Sequence, residues 1–115
     1  MLVSKEMAVS TIKLVTGDEI ICQVVGRDGT NVLIKNPLLI ILDHYPEVVT
    51  DANGNAISDE NGVPRTREVT RVVFAPFLLG GDLSAEMRIA NQHIITIASP
   101  KNDVKTQYSN IVRDL

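Results

Sequence analysis

The side chains able to do chemistry are few and scattered. There are two histidines, His44 and His93, and a single cysteine, Cys22. Covalent catalysis needs a nucleophile beside a base that a third group orients. Cys22 instead sits inside an apolar, strand-like run and reads as a small core residue. There is no glycine-rich phosphate loop and no histidine pair at metal-ligand spacing. One cysteine also excludes an intrachain disulfide and a zinc site built from paired cysteines. Asp51, Asn53 and Asn55 alternate like the start of a calcium loop. The glycine falls at Gly54, however, and no glutamate closes the loop, so a solvated hairpin tip is the better reading. The carboxylates concentrate between Asp43 and Glu68 without apolar surroundings to raise their pKa. No enzyme activity, no cofactor and no metal centre is expected.

Composition sets further bounds. A chain of 115 residues builds one domain with a modest core. Its 44% hydrophobic and 22% charged residues are those of an ordinary globular protein. A net charge of −3 argues against a protein that grips nucleic acid through a broad basic face. The aromatic side chains are Tyr45, Phe74, Phe77 and Tyr108, so few rings are on hand to stack bases. The longest apolar run, Leu38 to Leu42, is too short to cross a bilayer, and no partnership with a membrane is expected. The N-terminus lacks a signal-peptide pattern, which makes the cytoplasm the expected location, or a host's cytoplasm if the source is viral.

The elements that must position these residues are mostly strands. Met1 to Ser10 reads as a lead-in. Thr11 to Thr16 alternates, with Ile12 and Leu14 on one face and Lys13 on the other. Gly17-Asp18 marks a turn, and Glu19 to Arg27 is strand again, with Gly26 at a bulge or bend. Asp28-Gly29 is a strong turn signal. Asn31 to Leu42 is a third strand. Its Pro37 must sit at a bulge or an unpaired edge, because it brings no N–H to a ladder. Both of its faces are apolar, which implies burial on both sides or cover by a neighbouring subunit. Residues 43–68 hold Asn53-Gly54, Asn61-Gly62 and two prolines, and read as an exposed insertion with a small hairpin around Asn53-Gly54. Val69 to Leu79, Ala85 to Ile89 and His93 to Ala98 are further strand-like runs, with a tight corner at Asn91-Gln92. Val104, Tyr108, Ile111, Val112 and Leu115 form one stripe of a C-terminal helix over residues 100–114, with Ser99 as N-cap and Pro100 in the first position. No internal repeat is visible.

The run from Leu14 to Asn36, LVTGDEIICQVVGRDGTNVLIKN, resembles the first motif of the Sm-like family in its bacterial RNA-chaperone branch, Hfq. Leu14, Val15, Gly17, Val24, Asp28, Lys35 and Asn36 fall on that pattern. Gln92-His93 before Ile94 to Ala98 and Pro100 is similar to the second motif. The resemblance covers roughly the first third of the chain and its last strand. It implies a small, strongly bent, five-stranded antiparallel sheet, the Sm-like open barrel, here with a C-terminal helix. It also implies a cyclic homo-oligomer, closed through the strands at 69–77 and 93–98. Closure would satisfy apolar edges that otherwise invite aggregation.

The same resemblance implies that single-stranded RNA binds near the pore. The contacts would come from the loop of Asp28, Gly29, Thr30 and Asn31, and from Asn91, Gln92 and His93. Asp28 would anchor its loop, Gln92 would read base edges and His93 would line the pore. Turn chemistry accounts for Asp28 equally well, and a structural place at a strand start is the better reading of His93. Thr30 stands where the branch carries a base-stacking aromatic, a loss of about 1–3 kcal/mol per base. Gln92 stands where a lysine would meet phosphate or base. The insertion and trailing helix resemble variants carried by bacteriophages. A second expectation is therefore a structural ring in which residues 43–68 engage a protein partner and no RNA is bound.

Overall fold

The computed structural model describes residues 8–114. The strands are β1 (Ala8–Leu14), β2 (Glu19–Arg27), β3 (Asn31–Val48), β4 (Thr66–Pro76), β5 (Met87–Ala90) and β6 (Ile94–Ala98), followed by the helix α1 (Asn102–Arg113). The hydrogen-bonded order is β4-β3-β2-β1-β6, and β5 pairs separately with β3. The pairings of β1 with β2 and β6, and of β3 with β2 and β5, are antiparallel. The expected class, a small bent β-sheet with a C-terminal helix, is what forms, with six strands rather than five. The described chain divides into two compact units. One comprises the residues up to Ile41 and from Phe74 onward, and the other is Leu42–Val73.

Strand β2 is central in the first unit and is buried on both faces. Ile20, Cys22 and Val24 point into a core shared with Ile12, Leu14, Val32 and Ile34. Ile21 points the other way, into a second cluster with Leu38 and Tyr108. Helix α1 covers that second face, with Val104, Ile111 and Val112 packed around Tyr108. The apolar run of β3 serves both cores: Leu39 meets the first, and Leu38 and Ile40 the second.

Two bulges bend this sheet. The register between β2 and β3 shifts between Val24 and Gly26, and again between Ile21 and Gln23. Gly26 and Pro37 were the residues expected at such irregularities, and both lie at these shifts. At the second, Asn36 takes a positive φ of 52°, the only non-glycine among the described residues to do so. Asn36 is tied on three sides. Its N–H donates to the Leu83 carbonyl (2.7 Å), its side-chain amide donates to Gln23 Oε1 (2.9 Å), and its carbonyl accepts from Tyr108 Oη (2.7 Å). The helix is thus bonded to the bend it covers.

Several boundaries differ from those the sequence implied. Strand β1 already includes Ala8–Ser10, while the first seven residues and Leu115, the last member of the helical stripe, lie outside the described part. Ser99 does not cap the helix and Pro100 is not in it. The N-cap is Lys101 in extended conformation, and the first helical bond runs from Lys105 N–H to its carbonyl (2.9 Å). The corner expected at Asn91-Gln92 forms as a single 3-10 turn, Asn91–His93, before β6.

The second unit is an arm made by the continuation of β3 and the start of β4. Its cross-strand pairs are polar: Arg71 Nε to Asp43 Oδ2 (3.0 Å), Arg67 to Glu47 (3.6 Å) and His44 Nδ1 to Thr70 Oγ1 (2.9 Å). Arg71 also lies 4.9 Å from the centre of the Tyr45 ring. Beyond β3 the chain forms a compact double hairpin. Ile57 N–H donates to Val49 (2.9 Å), Val49 N–H to Arg65 (2.9 Å) and Arg65 N–H to Ile57 (2.8 Å). Its two turns are the same structure repeated eight residues apart, Asp51-Ala52-Asn53-Gly54 and Asp59-Glu60-Asn61-Gly62. The chain therefore does contain a short internal repeat, set by turn chemistry rather than by a hydrophobic period.

Candidate nucleic-acid interface

The loop between β2 and β3 is built around one carboxylate. Asp28 Oδ1 accepts from the backbone N–H groups of Thr30 (3.0 Å) and Asn31 (2.8 Å), and from the Thr30 hydroxyl (3.3 Å). The Asp28 N–H closes the loop onto the Asn31 carbonyl (3.1 Å). Gly29 at φ 93° supplies the left-handed step that side chains disfavour. These donors, the Thr30 and Asn31 amides first, hold the Asp28 carboxyl below its ordinary pKa.

Strand β5 brings the second loop to this one. Its pairing with β3 sets Ala90 opposite Asn31, so the next residue lies beside the turn. The Asn91 N–H donates to the Thr30 carbonyl (2.9 Å) and its side-chain amide to the Gly29 carbonyl (3.2 Å). The 3-10 turn then ends at His93, whose carbonyl accepts from the Val15 N–H (2.9 Å) in the turn after β1. Three loops of the first unit thus share one end of the sheet.

The sequence-nominated residues divide accordingly. Asp28, Gly29, Thr30, Asn31 and Asn91 are brought together, and their polar atoms are largely spent on one another. Asn91 is a clasp between loops, a role its type permitted but its sequence position did not reveal. Gln92 and His93 follow it and are exposed. Among the described residues, no hydrogen bond engages either side chain. Both keep their side-chain donor and acceptor capacity.

No aromatic ring joins them. Tyr108 is buried, Phe74 and Phe77 pack on the two cores, and Tyr45 lies in the arm. The end of the sheet therefore offers hydrogen bonding and an imidazole face, without a stacking platform. Among the described residues, five aspartates use their carboxylates on local amides: Asp28, Asp51, Asp59, Asp82 and Asp103. No group of three or more His, Cys, Asp or Glu gathers as a metal-binding set among the described residues. None of the described helices is long and apolar enough to cross a membrane. No protein-family model matches the chain, and no curated protein matches it.

Proposed function

We propose that the chain is a subunit of a ring-forming, Sm-like protein that binds single-stranded RNA weakly at the end of the sheet carrying Gln92 and His93. The observation that carries this reading is the clasp of Asn91 on the Asp28–Asn31 turn. Two loops far apart in sequence, both nominated by the resemblance, support one surface and present two uncommitted polar side chains. Strand β6 and strand β4 end the sheet path, and each has one hydrogen-bonded neighbour in it. Pairing these edges between copies would satisfy their outer backbone groups and gather several copies of the polar end around an axis. Repetition of a weak site around that axis raises overall affinity without new contacts.

Titration of U-rich and A-rich oligoribonucleotides at low and physiological salt tests the RNA reading. The expected result is a Kd tighter than roughly 100 μM for one of them at low salt, weakened by His93→Ala and Gln92→Ala. Absence of binding at that concentration with both oligonucleotides, and no effect of His93→Ala, overturns it. A second reading, a ring that engages a protein through the arm, is favoured by the exposed Val48 and Val63 in that unit. It predicts that deleting residues 53–62 abolishes partner capture while RNA binding is absent throughout.

A further inference from the structure

We infer that Asn53 and Asn61 are twin sites of spontaneous deamidation, each held back by the aspartate two residues before it. Both asparagines precede glycine and lie in exposed turns. A Cβ built at Gly54 or Gly62 would meet nothing within 4 Å, so both glycines border open space on that side. The reaction needs only water and hydroxide. The glycine amide loses its proton and its nitrogen attacks the asparagine Cγ. The new N–Cγ bond forms as the Cγ–Nδ2 bond breaks, and the side-chain nitrogen leaves as ammonia. Water then opens the cyclic imide at either carbonyl, giving aspartate or isoaspartate.

The turn obstructs the first step. The Gly54 N–H is engaged with the Asp51 carbonyl (3.0 Å), and the Gly62 N–H with the Asp59 carbonyl (3.0 Å). A carboxylate clamps each loop in that form. Asp51 Oδ1 accepts from Asn53 N–H (2.9 Å) and Asn55 N–H (3.0 Å). Asp59 Oδ1 accepts from Asn61 N–H (2.9 Å) and Val63 N–H (2.9 Å). The attacking nitrogen becomes available when the turn opens, so the rate follows the open population of that loop. Removing one carboxylate deletes two charge-assisted bonds and raises its loop's open population at least about tenfold. The consequence is structural. Isoaspartate adds a main-chain atom inside the turn and shifts the register of the Val49, Ile57 and Arg65 pairing that the turns set.

Full-length protein is held at mildly alkaline pH and 37 °C, and each asparagine is followed by peptide mass mapping. Native protein should convert both sites more slowly than the same chain in urea. Asp51→Ala should speed Asn53 at least about tenfold with Asn61 unchanged, and Asp59→Ala should do the reverse. Gly54→Ala provides a variant in which Asn53 conversion in urea falls while Asn61 conversion there stays the same. The inference is overturned if native and unfolded chains convert equally fast. It is equally overturned if Asp51→Ala leaves Asn53 unchanged, or if it speeds both sites alike.

Discussion

Single residues bend and lock this chain. Asp28 holds its loop through the Thr30 and Asn31 amides, Asp82 through the Ser84 hydroxyl and amide, and each has its carboxyl pKa lowered by these bonds. A depressed carboxylate pKa contributes stability that is present above the ordinary carboxylate range and is lost as pH falls through the lowered folded value. Amide shifts of Thr30, Asn31 and Ser84 should therefore titrate below the usual aspartate pKa, and a midpoint at or above it would contradict the assignment. Asn36 makes a sharper test. Alanine there meets positive φ and loses the Gln23 bond, whereas glycine loses only the bond. Asn36→Gly should accordingly be about 1 kcal/mol less destabilising than Asn36→Ala in urea denaturation. Burial pushes the Cys22 thiol up to about 12. It should resist alkylation at neutral pH until the chain unfolds.

Elements follow from these residues, and the helix is the clearest case. Helix α1 docks through Tyr108, 1% exposed, with Val104, Ile111 and Val112 around it. Tyr108→Phe removes a buried hydroxyl bonded to the Asn36 carbonyl and should cost about 1 kcal/mol. Tyr108→Ala also empties the socket and should cost about 3–5 kcal/mol in the same denaturation assay. Equal effects of the two would mean that packing contributes nothing there.

The helix stripe was legible because five apolar side chains recur on one face, and Gly26 and Pro37 were legible because each lacks a group that a regular strand needs. The helix start was not. Ser99 and Pro100 have the right chemistry for a first turn, but the chain is still extended at Lys101. The repeated Asp-x-Asn-Gly turns give no such signal, because their period is written in loop residues, where no apolar pattern points to it. The candidate site was half legible. Its two turns were visible locally, but the Asn91 clasp depends on the β3–β5 register, which no local pattern specifies.

At the scale of the whole molecule, the two cores of the first unit leave the sheet path with ends at β4 and β6. Along β6, Ile94 and Ile97 pack inward while Ile95 is 62% exposed. An exposed apolar residue on a terminal strand is what a subunit contact would cover. Ile95→Lys should then disperse an assembly without unfolding the subunit, since the inward side chains are untouched. Sedimentation velocity of the wild-type chain at micromolar concentration addresses the ring most directly. The proposal predicts a single species at a multiple of the 12.6 kDa subunit mass, converted to the subunit by Ile95→Lys. A wild-type protein that sediments as one 12.6 kDa chain would contradict it.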